Sequence, residues 1–127
     1  MTPPLIDRWI SVIETGRTDG LDTLLADDAV FYSPAVFRPQ QGKALTAKYL
    51  KAAAKVFGNT DFHYVEQWYS ERSAILEFAA TVNGVYVNGI DMIHWNDDDQ
   101  IVSFKVMLRP FKGLQAIMAP MAELLQQ

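Results

Sequence analysis

Apolar and polar positions recur along this chain with two different periods, and the change between them divides it. Up to about residue 58 the apolar positions follow helical spacing. Leu5, Ile6, Trp9, Ile10, Val12 and Ile13 form one stripe. Thr2-Pro3-Pro4 opens it with a capping hydroxyl and first-turn prolines, and Gly16 closes it. Asp19 is placed to cap a short second helix through Leu21, Leu24 and Leu25. Ala29-Val30-Phe31-Tyr32 is β-prone and is stopped by Ser33-Pro34. A third helix is expected from Lys43 to Phe57, with Gly58-Asn59 past its end.

From Asp61 onward the period is that of strands. Phe62 to Tyr69, Ala74 to Val82, Val85 to Trp95 and Ile101 to Arg109 are the expected strands, with turns at Ser70 to Ser73, Asn83-Gly84 and Asn96 to Asp99. Pro110 ends the sheet. Leu114, Ile117, Met118, Met121, Leu124 and Leu125 predict a C-terminal helix that Pro120 kinks or divides. There are no repeats or linkers, so residues 1–127 read as a single domain. Helices followed by an antiparallel meander give an α+β fold, a cone-shaped curved sheet with the N-terminal helices packed on its concave face.

Asn83-Gly84 is a two-residue hairpin signal, since both residues tolerate positive φ. It pairs Val82 with Val85, hence Phe78 with Gly89 and Leu76 with Asp91. One sheet face then carries Leu76, Phe78, Ala80, Val82, Val85, Val87, Gly89, Asp91, Ile93 and Trp95. This continuous apolar face is assigned to the concave interior. The other carries Ile75, Glu77, Ala79, Thr81, Tyr86, Asn88, Ile90, Met92 and His94, which is still half apolar. So much apolar surface on a convex face predicts a homodimer formed through it.

Composition narrows the rest. Net charge is −4, and no two Lys/Arg residues are adjacent, so no nucleic-acid partner is expected. The absence of cysteine excludes a disulfide framework, a thiolate nucleophile and a cysteine metal site. No stretch approaches 18 apolar residues and no signal-peptide pattern opens the chain. The expectation is a cytoplasmic protein with no membrane partner.

Candidate chemistry centres on Asp91. A carboxylate set mid-strand between Ile90 and Met92 is costly to bury unless it is paired or protonated. Without a cation nearby its pKa rises, which suits a general base or a proton-sharing acid. The plainer reading is a structural acid held by a Tyr or an Arg, and the residues leave both open. Arg109, ending the last strand, either reaches the cavity mouth to meet Asp91 or an anionic ligand, or is an exposed strand-end charge. His94 falls on the face opposite Asp91. His63 is a candidate ligand contact whose facing is left open by the ill-defined Ser70 to Ser73 turn. Trp9, Tyr32, Tyr49, Tyr64 and Trp68 are candidates to line a pocket for a flat apolar ligand, with ordinary core packing as the alternative. Glu66 and Glu77 read as cross-strand or interface charges. Asp97-Asp98-Asp99 lacks the Gly and Glu of a calcium loop and reads as a solvated turn, so no metal and no cofactor are expected.

Trp9 on the early helix, Asp28-Ala29-Val30-Phe31-Tyr32-Ser33-Pro34, Gly42 before the third helix, Gly89-Ile90-Asp91-Met92-Ile93-His94-Trp95 and Ile101-Val102-Ser103-Phe104 together resemble a SnoaL-like member of the nuclear-transport-factor-2-like superfamily. That superfamily includes ketosteroid isomerases, limonene epoxide hydrolases and scytalone dehydratases. The resemblance spans nearly the whole chain, departing at Asp99-Gln100 where the family turn usually has Gly. It implies the cone fold, a dimer through the convex face and a pocket for a small hydrophobic ligand. It also implies cofactor-independent isomerase, cyclase or hydrolase chemistry. A ketosteroid isomerase uses a base carboxylate with an oxyanion hole of Tyr and protonated Asp. The first helix here has no Tyr, and the last strand offers Lys105 and Arg109 where an epoxide hydrolase has acids. Two functions therefore stand: an enzyme working through Asp91, or a dimeric pocket protein that binds without turnover.

Overall fold

The computed structural model describes residues 1–126. Helix α1 (Pro4–Thr15) buries Leu5, Ile6, Trp9, Val12 and Ile13, the stripe read from the sequence, and Gly16 ends it in the left-handed conformation at φ 72°. Thr2 does not cap it: Pro3 occupies the capping position and no side chain bonds the free N–H groups. Its prolines lack N–H donors, which leaves less there to satisfy. Asp19 likewise caps nothing, since a 3₁₀ turn (Thr18–Gly20) runs directly into α2 (Leu21–Leu24).

Strand β1 (Leu25–Tyr32) starts four residues earlier than the apolar run suggests. Its register against β6 (Ile101–Arg109) shifts between Leu25 and Val30, so Asp27 and Asp28 both face outward without breaking the strand. A two-residue strand β2 (Gln40–Gln41) pairs with its end. Helix α3 (Lys43–Phe57) begins after Gly42 at φ 102°, whose N–H bonds the Ala29 carbonyl at 2.7 Å. The meander β3 (His63–Tyr69), β4 (Ser73–Val82), β5 (Val85–Trp95) and β6 completes a six-stranded sheet in the order β2-β1-β6-β5-β4-β3. Helix α4 (Phe111–Leu125) is continuous through Pro120 rather than divided. One missing N–H costs a single hydrogen bond, and the buried Gly113 and Ile117 anchor the helix on the sheet.

The Asn83-Gly84 turn pairs Val82 with Val85, Phe78 with Gly89 and Leu76 with Asp91. Both turn residues have positive φ, 50° and 80°. Leu76, Phe78, Ala80, Val82, Val87, Asp91, Ile93 and Trp95 are all buried beneath the helices. His94 is exposed on the opposite face. Gly89 is required by close approach: a Cβ there would lie 2.5 Å from Phe78 Cζ and 2.6 Å from the Met107 carbonyl oxygen. Among the described residues no helix is long and apolar enough to cross a membrane.

Candidate functional site

Strand alternation turns Asp91 toward the helices, where it is 6 % exposed and, with Thr46, one of two buried polar residues among those described. Its partner comes from β3. A register shift between Tyr64 and Glu66 lets Tyr64 face inward opposite Phe78. The Tyr64 hydroxyl donates to Asp91 Oδ2 at 2.6 Å and accepts the Trp9 indole N–H at 2.8 Å. Trp9 is itself fixed by α1 and by the edge of Phe104, with ring centroids 4.8 Å apart. Three elements distant in sequence thus supply a chain of donors, Trp9 to Tyr64 to Asp91.

The second carboxyl oxygen, Oδ1, takes no protein hydrogen bond among the described residues, yet no fully buried side-chain polar atom is left unpartnered. Oδ1 therefore opens onto free space. That space is a narrow cavity between the sheet and helices, lined by Asp91 with Trp9, Phe31, Phe62, Phe78 and Phe104 on one side and Leu50, Phe57, Ile117 and Met121 on the other. About 50 Å³ of it is open, room for water-sized molecules only. Asp91 is its one ionisable wall residue.

Burial raises the Asp91 pKa from 3.8 to about 7, against the lowering effect of the Tyr64 hydrogen bond. Burial and the adjacent carboxyl push the Tyr64 phenol well above its ordinary 10.0, so it stays protonated and keeps donating. Asp91 is consequently poised to exchange a proton near neutral pH through an oxygen that faces an apolar chamber.

Of the other residues singled out from sequence, Tyr64 and Trp9 join Asp91 in this hydrogen-bonded chain, and Trp9 also lines the cavity. Arg109 pairs across the sheet with Asn88, donating to its Oδ1 at 2.9 Å on the convex face, and does not meet Asp91. His63 is exposed, its Nδ1 2.9 Å from the Asp61 carbonyl oxygen. Trp68, 49 % exposed, lines a shallow convex-face hollow with Ile75, Met92 and His94. Tyr49 stacks on Phe31, ring centroids 4.9 Å apart, and does not line the cavity. Tyr32 lies under the Lys105 ammonium in a groove beside the cavity. Glu66 and Glu77 lie opposite each other across β3 and β4. Among the described residues no group of three or more acidic or His side chains is arranged to hold a metal. Tyr64, one of the aromatic candidates read from sequence, is the Tyr that holds Asp91; the sequence reading expected a Tyr or an Arg there without saying which.

Comparison with known proteins follows the same lines. A family profile for the SnoaL-like domain matches residues 6–104, and the chain belongs to that family. It is similar in structure to a steroid delta-isomerase from Pseudomonas aeruginosa, with 38 % identity and TM-score 0.90 over 96 % of this chain and 89 % of that one. An uncharacterised protein with a cystatin-like fold from Silicibacter pomeroyi gives 27 % identity and TM-score 0.86, covering 94 % of this chain and 84 % of that one. The epoxide hydrolase/cyclase-like enzyme SalBIII, of pyran-ring formation in salinomycin, shares the fold at 15 % identity and TM-score 0.68, over 83 % and 88 % of the two chains. No curated protein matches.

Proposed function

We propose that this SnoaL-like protein is a cofactor-independent isomerase that moves a proton within a small, largely apolar substrate, with Asp91 as the acid–base group. The observation that carries this reading is the orientation of Asp91. One carboxyl oxygen is held by Tyr64 and the other opens into an apolar cavity, at a pKa of about 7. A lone carboxylate can take a proton from the carbon beside a carbonyl and return it two carbons away, ending as it began. Such an isomerisation needs no oxidant, nucleophile or second acid. Hydrolysis would need a second polar group to position water, and the wall supplies no other ionisable side chain. The 38 % identical steroid delta-isomerase supports this class.

A substrate larger than a few waters must displace part of the wall. Met121, unbranched and at the edge of the chamber, is the side chain best able to withdraw. We also propose that the protein is a homodimer through the convex sheet face. Val65, Trp68, Tyr86 and Met107 are exposed there, beside half-buried Ile75, Ile90 and Met92. The reading is tested with a β,γ-unsaturated steroid ketone, whose isomerisation to the conjugated enone is followed by ultraviolet absorbance. The wild type converts it and Asp91→Asn does not. A second reading, binding without turnover, is favoured by the absence of a second ionisable group from the wall. It gains the field if the wild type binds the ketone and leaves it unchanged.

A further inference from the structure

We propose that a second copy of this chain packs on the convex face through a two-fold axis parallel to the strands, with Glu66 and Glu77 of each copy set between the partner's Lys105 and the partner's Arg109. This rests on the reading of the protein as a convex-face dimer and names how the copies pair. Apart from the inward Asp91, these four are the Asp, Glu, Lys and Arg residues of β3 to β6. Register lines up Glu66, Glu77, Ile90 and Met107 in one row across the four strands, on the face away from Asp91. Two residues to one side of that row β6 carries Lys105, opposite Met92, and two residues to the other side Arg109, opposite Asn88. The acids of the face thus sit on β3 and β4 and its cations on β6, with Ile90 and Met92 of β5 between them.

None of the four is neutralised within its own copy. Among the described residues the salt bridges run from Lys43 to Asp22 and Asp27 and from Arg72 to Asp97. Asn88 orients two of the four instead: its Nδ2 donates to Glu77 Oε2 at 3.0 Å and its Oδ1 accepts the Arg109 Nε–H at 2.9 Å. The terminal nitrogens of Arg109 make no hydrogen bond among the described residues. The Lys105 ammonium rests 5.0 Å from the Tyr32 ring centroid, which holds it without cancelling its charge.

Two sheets packed face to face by a two-fold have the axis in the interface plane, running either across the strands or along them. Across them, β3 covers β3 and β6 covers β6, so acid meets acid and cation meets cation. Along them, with the axis between β4 and β5, strand order reverses and β6 covers β3. Position along the strands is then kept, and the partner's acid row falls midway between Lys105 and Arg109, roughly 7 Å from each. Side chains of this length cover that step. The separated charges therefore favour the parallel axis and oppose the other.

The test exchanges the charges in two double variants, Lys105→Glu/Arg109→Glu and Glu66→Lys/Glu77→Lys, and measures dimer Kd by analytical ultracentrifugation for each alone and for an equal mixture. Each variant alone sets like charges together, and its Kd is expected to rise at least about tenfold over wild type, less at high salt. In the mixture every charged contact is again between opposite signs, so a heterodimer forms with near wild-type affinity. Thermal melting shows whether the variants fold; where a double variant does not, the exposed single positions Arg109→Glu and Glu66→Lys take its place. Variants that dimerise as tightly as wild type, or a mixture no tighter than its components, overturn this pairing while leaving the convex-face dimer standing. A monomeric wild type overturns the dimer and the pairing together.

Discussion

The Tyr64 hydroxyl donates to Asp91 Oδ2 across 2.6 Å, and this bond orients the one ionisable group in the cavity wall. It occupies one oxygen and leaves the other toward the chamber. Because Tyr64 also accepts from Trp9, its hydrogen has one direction to point. The arrangement holds the carboxyl rotamer while allowing the carboxyl itself to gain and lose a proton near neutral pH.

Removing the hydroxyl in Tyr64→Phe leaves the Trp9 indole N–H and Asp91 Oδ2 without their partners. The expected cost is about 1–3 kcal/mol of stability, read from denaturant unfolding. Since the Tyr64 bond lowers the Asp91 pKa, its loss moves that pKa further up, which carbonyl ¹³C NMR titration follows directly. An unchanged or lower pKa in the variant would show that the bond does not act on the carboxyl.

Stability should depend on pH through Asp91, with a definite sign. The folded pKa of about 7 lies above the ordinary 3.8, so between these values the folded state binds a proton that the unfolded chain has lost. Stability from this group is full below about pH 4 and falls as pH rises toward 7, in total by on the order of 4 kcal/mol. Asp91→Asn removes this slope. The difference in Tm between variant and wild type should therefore grow in the variant's favour from pH 4.5 to 7.5, and a constant difference would contradict the shift.

Gly89→Ala drives a methyl against Phe78 and the Met107 carbonyl, and the backbone side of that contact cannot yield. The expected loss is about 1–3 kcal/mol, from overpacking. The Phe78 ring is pressed toward the cavity, so displacement-probe affinity falls as well. Met121→Ala is the converse experiment: it enlarges the chamber and should tighten binding of N-phenyl-1-naphthylamine.

On the convex face, Met107→Glu and Trp68→Glu place charges on the proposed dimer surface. Light scattering after size-exclusion chromatography is expected to give a dimer for wild type and a monomer for the double variant. A monomeric wild type at micromolar concentration would remove the dimer proposal.

The Asn83-Gly84 turn made β4 and β5 legible from sequence, because a two-residue loop fixes register and alternation then fixes facing. That was enough to put Asp91 inside and His94 outside. The inward facing of Tyr64, and with it the pairing to Asp91, was not legible for a specific reason. Tyr69 opposes Ala74 and Gln67 opposes Leu76 on the inner face, so uninterrupted alternation would turn His63 inward and Tyr64 outward. The register shift between Tyr64 and Glu66 inverts both, and nothing in Tyr64-Val65-Glu66 announces it. Arg109 was left between the cavity mouth and an exposed strand end, and the second is what the structure has: a shift between His94 and Trp95 sets the parity of β6 and puts Arg109 beside Asn88. Facing stays open at the irregular pairings, where counting along a strand loses its phase.

The acid–base role of Asp91 is tested most directly by the pH dependence of isomerisation of a β,γ-unsaturated steroid ketone by wild type and Asp91→Asn. The expected wild-type profile bends near pH 7, following the Asp91 carboxyl, and Asp91→Asn loses at least about a hundredfold in rate, the scale of a general acid–base group. A variant that turns the ketone over as fast as wild type, with the same pH profile, would contradict it.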